Sequence, residues 1–429
     1  MGLMAMMCAR VEAQNGFNLP YSQGGLGVYE QPFNMPSVAR MGGVVYTRFG
    51  NSIINPFNPA SYSGIGMESL VFDMGVNMQL STTRSGSSLI KDADGDLGYL
   101  AMGLPVTKWL KVAFGLMPYS TVDYMTVIPA ATAGGMKTVY EGAGGANEAF
   151  IGMSFSLLDN KKNSMAVGFN LNYLTGSIQR LLSYVATDSL MVNSRKAQEL
   201  RLGNAFLDFG VQYRHALGQK YTIGLGIVYS PYMKSKLREN TIIYTYQGSN
   251  ETILDTVFPS RGNEVEGKSM LEHSHTVGVG LSLERNGWWQ VAADITFAGW
   301  QGMRHIEVED RAILGTGKMN VGAFSSYALG FEKLVNMDAS KYIGRMGFSI
   351  GTYMQQGLMY VTTDNGERRV DQWGVGAGLT FPMRRGRSLL TVSAAYSMMG
   401  DKDLMQRECV TFGIALSCCE RWFVKRKYN

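Results

Sequence analysis

From residue 67 onward the chain alternates apolar and polar residues with a period of two. Leu70, Phe72, Met74, Val76, Met78 and Leu80 fall on one side, with Asp73, Gly75, Asn77, Gln79 and Ser81 on the other. Successive strand side chains point to opposite faces, so this run predicts a strand with one oily and one polar face. The code recurs. Leu207, Phe209, Val211 and Tyr213 alternate with Asp208, Gly210, Gln212 and Arg214. Tyr221, Ile223, Leu225, Ile227 and Tyr229 alternate with Thr222, Gly224, Gly226 and Ser230. Similar runs start at Trp289, Trp373 and Val410. The second face is mostly Gly, Ser, Thr, Asn and Gln, where a soluble sandwich usually carries charge. That pattern predicts an enclosed lumen and a lipid-facing exterior. Lipid demands that every backbone group be paired, and in β form only a closed barrel does so.

Connection lengths also alternate. Short turns are predicted near 105–108, 159–163, 218–220, 285–287, 336–341 and 384–386. Longer polar segments are predicted near 85–95, 128–136, 188–197, 239–266, 300–320, 363–369 and 400–407. Six short and seven long connections make fourteen antiparallel strands, the first rising from the periplasm and the last returning there. Trp109, Tyr119, Tyr124, Tyr232, Trp288, Trp289, Trp300, Tyr342, Trp373 and Trp422 fall near strand ends and are predicted to form aromatic girdles at the two membrane edges.

Residues 14–66 lack the alternation. They combine turn formers (Gly24-Gly25, Gly42-Gly43, Asn55-Pro56, Asn58-Pro59) with core-type residues such as Phe17, Tyr21, Leu26, Phe33, Met41, Ile53, Ile54 and Phe57. A periplasmic tail would not need those, so the segment is predicted to plug the lumen. Residues 1–13 read as the tail of a signal peptide, ending in Val11-Glu12-Ala13 before Gln14. The expected organisation is therefore signal peptide 1–13, plug 14–66 and barrel 67–429.

Composition agrees with an all-β transmembrane barrel. Charged residues make up 17%, below the usual ~25% of soluble domains. Fifty-two glycines suit bent walls. No run of 18 apolar residues argues for a helical span. The net charge of +5 is spread along the chain, and no basic cluster is interleaved with aromatics, so nucleic acid is not an expected partner. Cys8, Cys409, Cys418 and Cys419 form no CxxC pair, and the adjacent Cys418 and Cys419 point to opposite strand faces.

Motifs for chemistry are sparse. His273 and His275 share a strand parity that could suit a metal, yet the same parity continues into Val277, Val279, Leu281 and Leu283, an outward membrane face. No serine is singled out as a nucleophile. The run Lys91-Asp92-Ala93-Asp94-Gly95-Asp96 lacks the glycine and glutamate of a calcium loop and reads as a solvated extracellular loop. No cofactor, metal or enzymatic role is expected. Asp73, Asp208, Asp294 and Glu332 fall on lumen parity and are expected to pair with Arg214 and Arg345, or with the plug.

The run Asn55-Pro56-Phe57-Asn58-Pro59-Ala60-Ser61-Tyr62-Ser63-Gly64 resembles the Asn-Pro-Ala hatch motif of the FadL/TodX family of hydrophobic-compound transporters. The lead-in Pro20-Tyr21-Ser22, the segment Arg40-Met41-Gly42-Gly43 and the tail Glu420 to Lys427 resemble Bacteroidetes members of that group. The resemblance implies a monomeric fourteen-stranded barrel in a Gram-negative outer membrane, with a hatch held by Asn58, Pro59, Ala60 and Ser61. It implies uptake of fatty-acid-like or aromatic hydrophobic ligands, with lateral release into outer-membrane lipid beside a kinked third strand. The predicted third strand carries Gly115 and Pro118-Tyr119-Ser120; proline cannot donate to a ladder, so Gly115, Pro118 and Tyr119 are the candidate gate. An alternative implied by the resemblance is a non-conducting barrel that docks within a protein-export or assembly complex.

Overall fold

The computed structural model describes residues 20–421, apart from 24–25, 87, 131–134, 187–190, 237, 248–251, 260–269, 300–318, 321–322, 364–365, 384–387 and 402–404. The signal-peptide reading, Trp300, His305, Trp422 and all but the first two residues of the tail motif lie outside the described residues.

Fourteen antiparallel strands form the wall: β1 (Ser69–Ser85), β2 (Ser88–Pro105), β3 (Leu110–Ile128), β4 (Met136–Asp159), β5 (Asn163–Ala186), β6 (Asn193–Leu217), β7 (Tyr221–Ser230), β8 (Thr276–Arg285), β9 (Trp289–Gly299), β10 (Ala323–Lys333), β11 (Gly347–Thr363), β12 (Gly366–Met383), β13 (Ser388–Asp401) and β14 (Met405–Arg421). Each pairs with the next, and β1 pairs with β14 from Ser69–Arg421 to Arg84–Gln406, which closes the sheet. Closure satisfies the edge groups that lipid could not.

Several connections expected to be long are instead strand. β1 turns into β2 across residues 86–87, so Lys91–Asp96 is not a loop: it lies in β2, with Asp92, Asp94 and Asp96 on one parity. Residues 193–197 begin β6, and the 239–266 region holds a hairpin, Arg238–Gln247 with Thr252–Pro259, that pairs along β6. The 363–369 and 400–407 connections shrink to the few residues between β11 and β12 and between β13 and β14. Polarity signals water, which strands reach as readily as loops; these strands simply continue past the bilayer. β4, β5 and β6 have 24, 24 and 25 residues, far beyond the 9–11 or so that a tilted membrane strand needs.

The facial code holds along most strands. Val76, Met78, Leu80, Phe209, Ile227, Val375, Phe412 and Ile414 are exposed on the outer surface, while Asp73, Asn77, Gly226, Gly376 and Ser417 are buried inside. Trp109, Tyr232, Trp288, Tyr342 and Trp373 face outward. Tyr119 and Tyr124 do not join the girdle. The β3–β4 register pairs Pro118 with Asn147 and Ser120 with Ala146, leaving Tyr119 as a bulge. Tyr119 follows the inward parity of Ala113 and Met117, and the one inserted residue reverses the parity after it, so Tyr124 also turns into the lumen.

The N-terminal segment fills that lumen with a short helix α1 (Pro36–Ala39), a 3-10 turn (Pro59–Gly64) and a two-residue ladder, Val28–Tyr29. Its core includes Met35, Val38, Val45, Ile54, Tyr62 and Ile65, packed on inward Val71, Tyr99, Ala113 and Phe150. Wall glycines let it sit close. A Cβ at Gly376 would overlap the Ala39 carbonyl, and one at Gly226 the Tyr46 carbonyl.

Candidate functional site: a parted seam and a lumen cavity

Asn58 organises the centre of the plug. Its Oδ1 accepts the Ala60 N–H at 3.1 Å, capping the 3-10 turn that begins at Pro59, and its Nδ2 donates to the Tyr46 carbonyl at 2.7 Å. A proline at the first position suits a turn whose early N–H groups lack partners. Ser61 Oγ donates to the Asn55 carbonyl, and Ser154 Oγ on β4 donates to the Ala60 carbonyl, tying the turn to the wall.

The lumen carboxylates divide by role. Asp73 accepts from Tyr99 and Ser417 and lies under the plug backbone at Ile54. Asp294 Oδ2 accepts the N–H groups of both Val45 (2.6 Å) and Tyr46 (2.9 Å). Glu332 pairs at 2.6 Å with Arg40 of the plug. Asp208 accepts from Asn172 and Ser230. The two arginines expected as partners are elsewhere. Arg214 pairs with Glu284 at 2.7 Å and lies over the Phe49 ring. Arg345 donates to the Ala339 carbonyl in the connection before β11. Parity places a side chain on a face but not at a height, and these arginines sit too near the strand ends to reach the carboxylates.

The β2–β3 ladder is incomplete. It runs only from Pro105–Lys111 to Leu100–Leu116; beyond it, the rest of β2 pairs with β1 and the rest of β3 with β4. Two bulges mark the fork, Gly98 on β2 and Tyr119 on β3. Gly115 lies in the last paired stretch, where a Cβ would overlap the Phe150 ring and the Leu100 carbonyl. Pro118 sits just past the fork.

The plug occupies the opening. Val28 and Tyr29 pair antiparallel with Thr121 and Ser120 of β3, and the Glu30 N–H donates to the Tyr119 carbonyl. Ser22 Oγ accepts the Asp123 N–H, and Gln23 Nε2 donates to Thr126. The N-terminal chain thus borders β3 where β2 has departed. Leu26 and Tyr29 pack there with Tyr119, Val122, Ile178, Leu200 and Phe206. Sequence reasoning singled out neither Asn34 nor Glu148; Glu148 shares lumen parity with Gly152 and Ser154 on β4, so its alternation could have flagged it.

Behind the fork lies a cavity of about 220 Å³ between plug and wall. Tyr29, Phe33, Tyr46 and Phe57 of the plug face Met117 and Tyr119 of β3, Phe206 of β6 and Phe324 of β10. Glu148, Asp208 and Asp294 join the wall, with Gln31 Nε2 donating to Glu148 Oε2 at 2.7 Å. Asp208, Asp294 and Tyr119 thus come together at the cavity, whereas Asp73, Arg214 and Glu332 do not. His275 lies on the exterior beside Tyr229, and among the described residues no cluster suits a metal ion.

A closed fourteen-stranded barrel with a folded lumen plug defines a transmembrane β-barrel of the FadL/TodX type. The solved structure of the CymD monoaromatic hydrocarbon channel superposes with a TM-score of 0.52, at 12% identity, over 91% of this chain and 99% of that one. The P. putida toluene transporter TodX superposes with a TM-score of 0.50, at 12% identity, over 94% and 99%. At this identity the likeness is one of fold. The BamG family model matches residues 1–429, and the chain belongs to the BamG family. No curated protein sequence matches it.

Proposed function

We propose that this barrel resides in a Gram-negative outer membrane, takes a hydrophobic small molecule into its lumen cavity and releases it sideways into the bilayer. The gate is the β2–β3 fork at Gly115, Pro118 and Tyr119, and the plug strand is its door. One observation carries the reading: Met117 and Tyr119 line the cavity, while the intervening Pro118 lies where the ladder has ended. A ligand in the cavity is therefore one strand away from the seam. Binding draws on apolar burial, about 0.8 kcal/mol per CH₂. No covalent step is involved.

A second reading has its own support. Membership in the BamG family and a seam already filled by the plug favour a non-conducting barrel that docks within an outer-membrane protein assembly complex.

A reversible lock separates them. Tyr29 and Ser120 are direct cross-strand partners, close enough for a disulfide when both are cysteine. In a background with Cys409, Cys418 and Cys419 replaced by serine, oxidised Tyr29→Cys/Ser120→Cys protein is expected to lose ligand uptake and regain it with reductant. Pro118→Val, which restores a ladder donor, is expected to slow uptake. Unchanged uptake in both variants would sink the transport reading; a docking barrel would keep its protein partners when locked.

A further inference from the structure

The cavity's charge is one-sided. Among the described residues three carboxylates line it, Glu148, Asp208 and Asp294, and no lysine, arginine or histidine does. Glu148 and Asp294 are each only 4% exposed. Asp294 uses Oδ2 to hold the plug, and its Oδ1 lies against Gly280 of β8.

The rest of the lining suits the same ligand. Phe33, Phe57, Phe206 and Phe324, with Tyr46 and Tyr119, present aromatic rings around the carboxylates. Ring faces attract cations, most strongly where water is excluded. The way out is acidic as well. Glu30 on the plug strand lies near Asp94 and Asp96 of β2, and Asp123 of β3 near Asp92 and Asp94; Arg407 opposes them at Glu30.

From this we infer that the cavity takes an apolar amine, a hydrophobic molecule with a protonated nitrogen, and excludes fatty-acid carboxylates. The inference rests on the transport reading and narrows its ligand class. An ammonium would meet carboxyl acceptors and ring faces and could pair with an ionised carboxylate, whereas a carboxylate ligand would find no basic partner among the described lining residues.

The test uses three probes that share a phenyl ring and differ in charge: phenethylamine, ethylbenzene and phenylacetate. Each is titrated into the full-length protein in lipid nanodiscs, with binding read by calorimetry and saturation-transfer NMR. Phenethylamine is expected to bind about ten-fold more tightly than ethylbenzene, with phenylacetate weakest. Glu148→Gln, which keeps an oxygen acceptor for Gln31, is expected to lower amine affinity several-fold more than ethylbenzene affinity; Asp208→Asn provides an independent check. Phenylacetate binding as tightly as the amine, or an amine no better than ethylbenzene, would overturn the charge preference while leaving transport standing. If none of the three binds to correctly folded protein, both the preference and the transport reading fall.

Discussion

The side-chain amide of Asn34 rests on the carbonyl of Gly98, donating at 3.1 Å, and the same nitrogen lies 3.2 Å from the Pro118 carbonyl. Asn34 in turn accepts from Asn77 Nδ2 on β1 at 2.8 Å. One plug residue thus bridges the two strands where their own ladder stops. Gly98 allows it, since a Cβ there would overlap the Asn34 carbonyl. Asn34→Ala strands the Gly98 carbonyl, at a cost of about 1–3 kcal/mol, and leaves Pro118's only the longer 3.4 Å contact from Gln31. The expected outcome is faster hydrogen exchange at 28–30, with the barrel's heat-modifiable migration in SDS gels unchanged. Undiminished protection at 28–30 would show that the bridge does not hold the door.

The door should also respond to pH. Burial, followed by the charge of Asp96, pushes the Glu30 carboxyl from 4.5 up to about 7, against the opposing effects of Thr121 and Arg407. A seated Glu30 then holds its proton at pH values where a detached one has lost it. The plug–seam contact is thus strongest below about 4.5 and weakens as pH rises through about 7. Protection factors at 28–30, corrected for intrinsic exchange, should fall between pH 5 and pH 8, and Glu30→Gln should flatten that slope. A slope that survives the substitution would place the titrating group elsewhere.

Arg40 and Glu332 form a buried ion pair between plug and wall, 2% and 13% exposed, and Arg40 Nε and Nη1 have no hydrogen-bond partner among the described residues. Removing one member strands the other in the lumen, at a cost of about 3–5 kcal/mol. Arg40→Met or Glu332→Leu alone should loosen the plug, measured as protease access to residues 36–48. The double substitution should restore much of the loss. A double variant as damaged as the sum of the singles would mean that the pair is not coupled.

Ile414 lies near the middle of β14 and faces outward. Arginine there, at a lipid-facing position near the bilayer midplane, should cost about 2–4 kcal/mol. Thermal unfolding in bilayers should show the loss, and detergent micelles should mute it. Equal effects in both would argue that this face does not meet lipid.

Much of the wall was legible in the chain because a strand's two faces are written in its alternation. Lipid outside and a packed plug inside make that code strict at positions such as Phe412, Ile414, Gly413 and Ser417. The even count of strands followed from turns and polar connections, although polar strands above the bilayer, as in Asp92–Asp96, were mistaken for loops. The Asn58-Pro59 turn was visible because its cap is local. The seam was not. That β2 and β3 part company, that a bulge at Tyr119 turns Tyr124 inward, and that Asn34 meets Gly98 across 64 residues are consequences of register. Register is settled by long-range pairing and close packing, which no local pattern encodes. The one-sided charge of the cavity likewise exists only because closure brings Glu148, Asp208 and Asp294 from separate strands to one place.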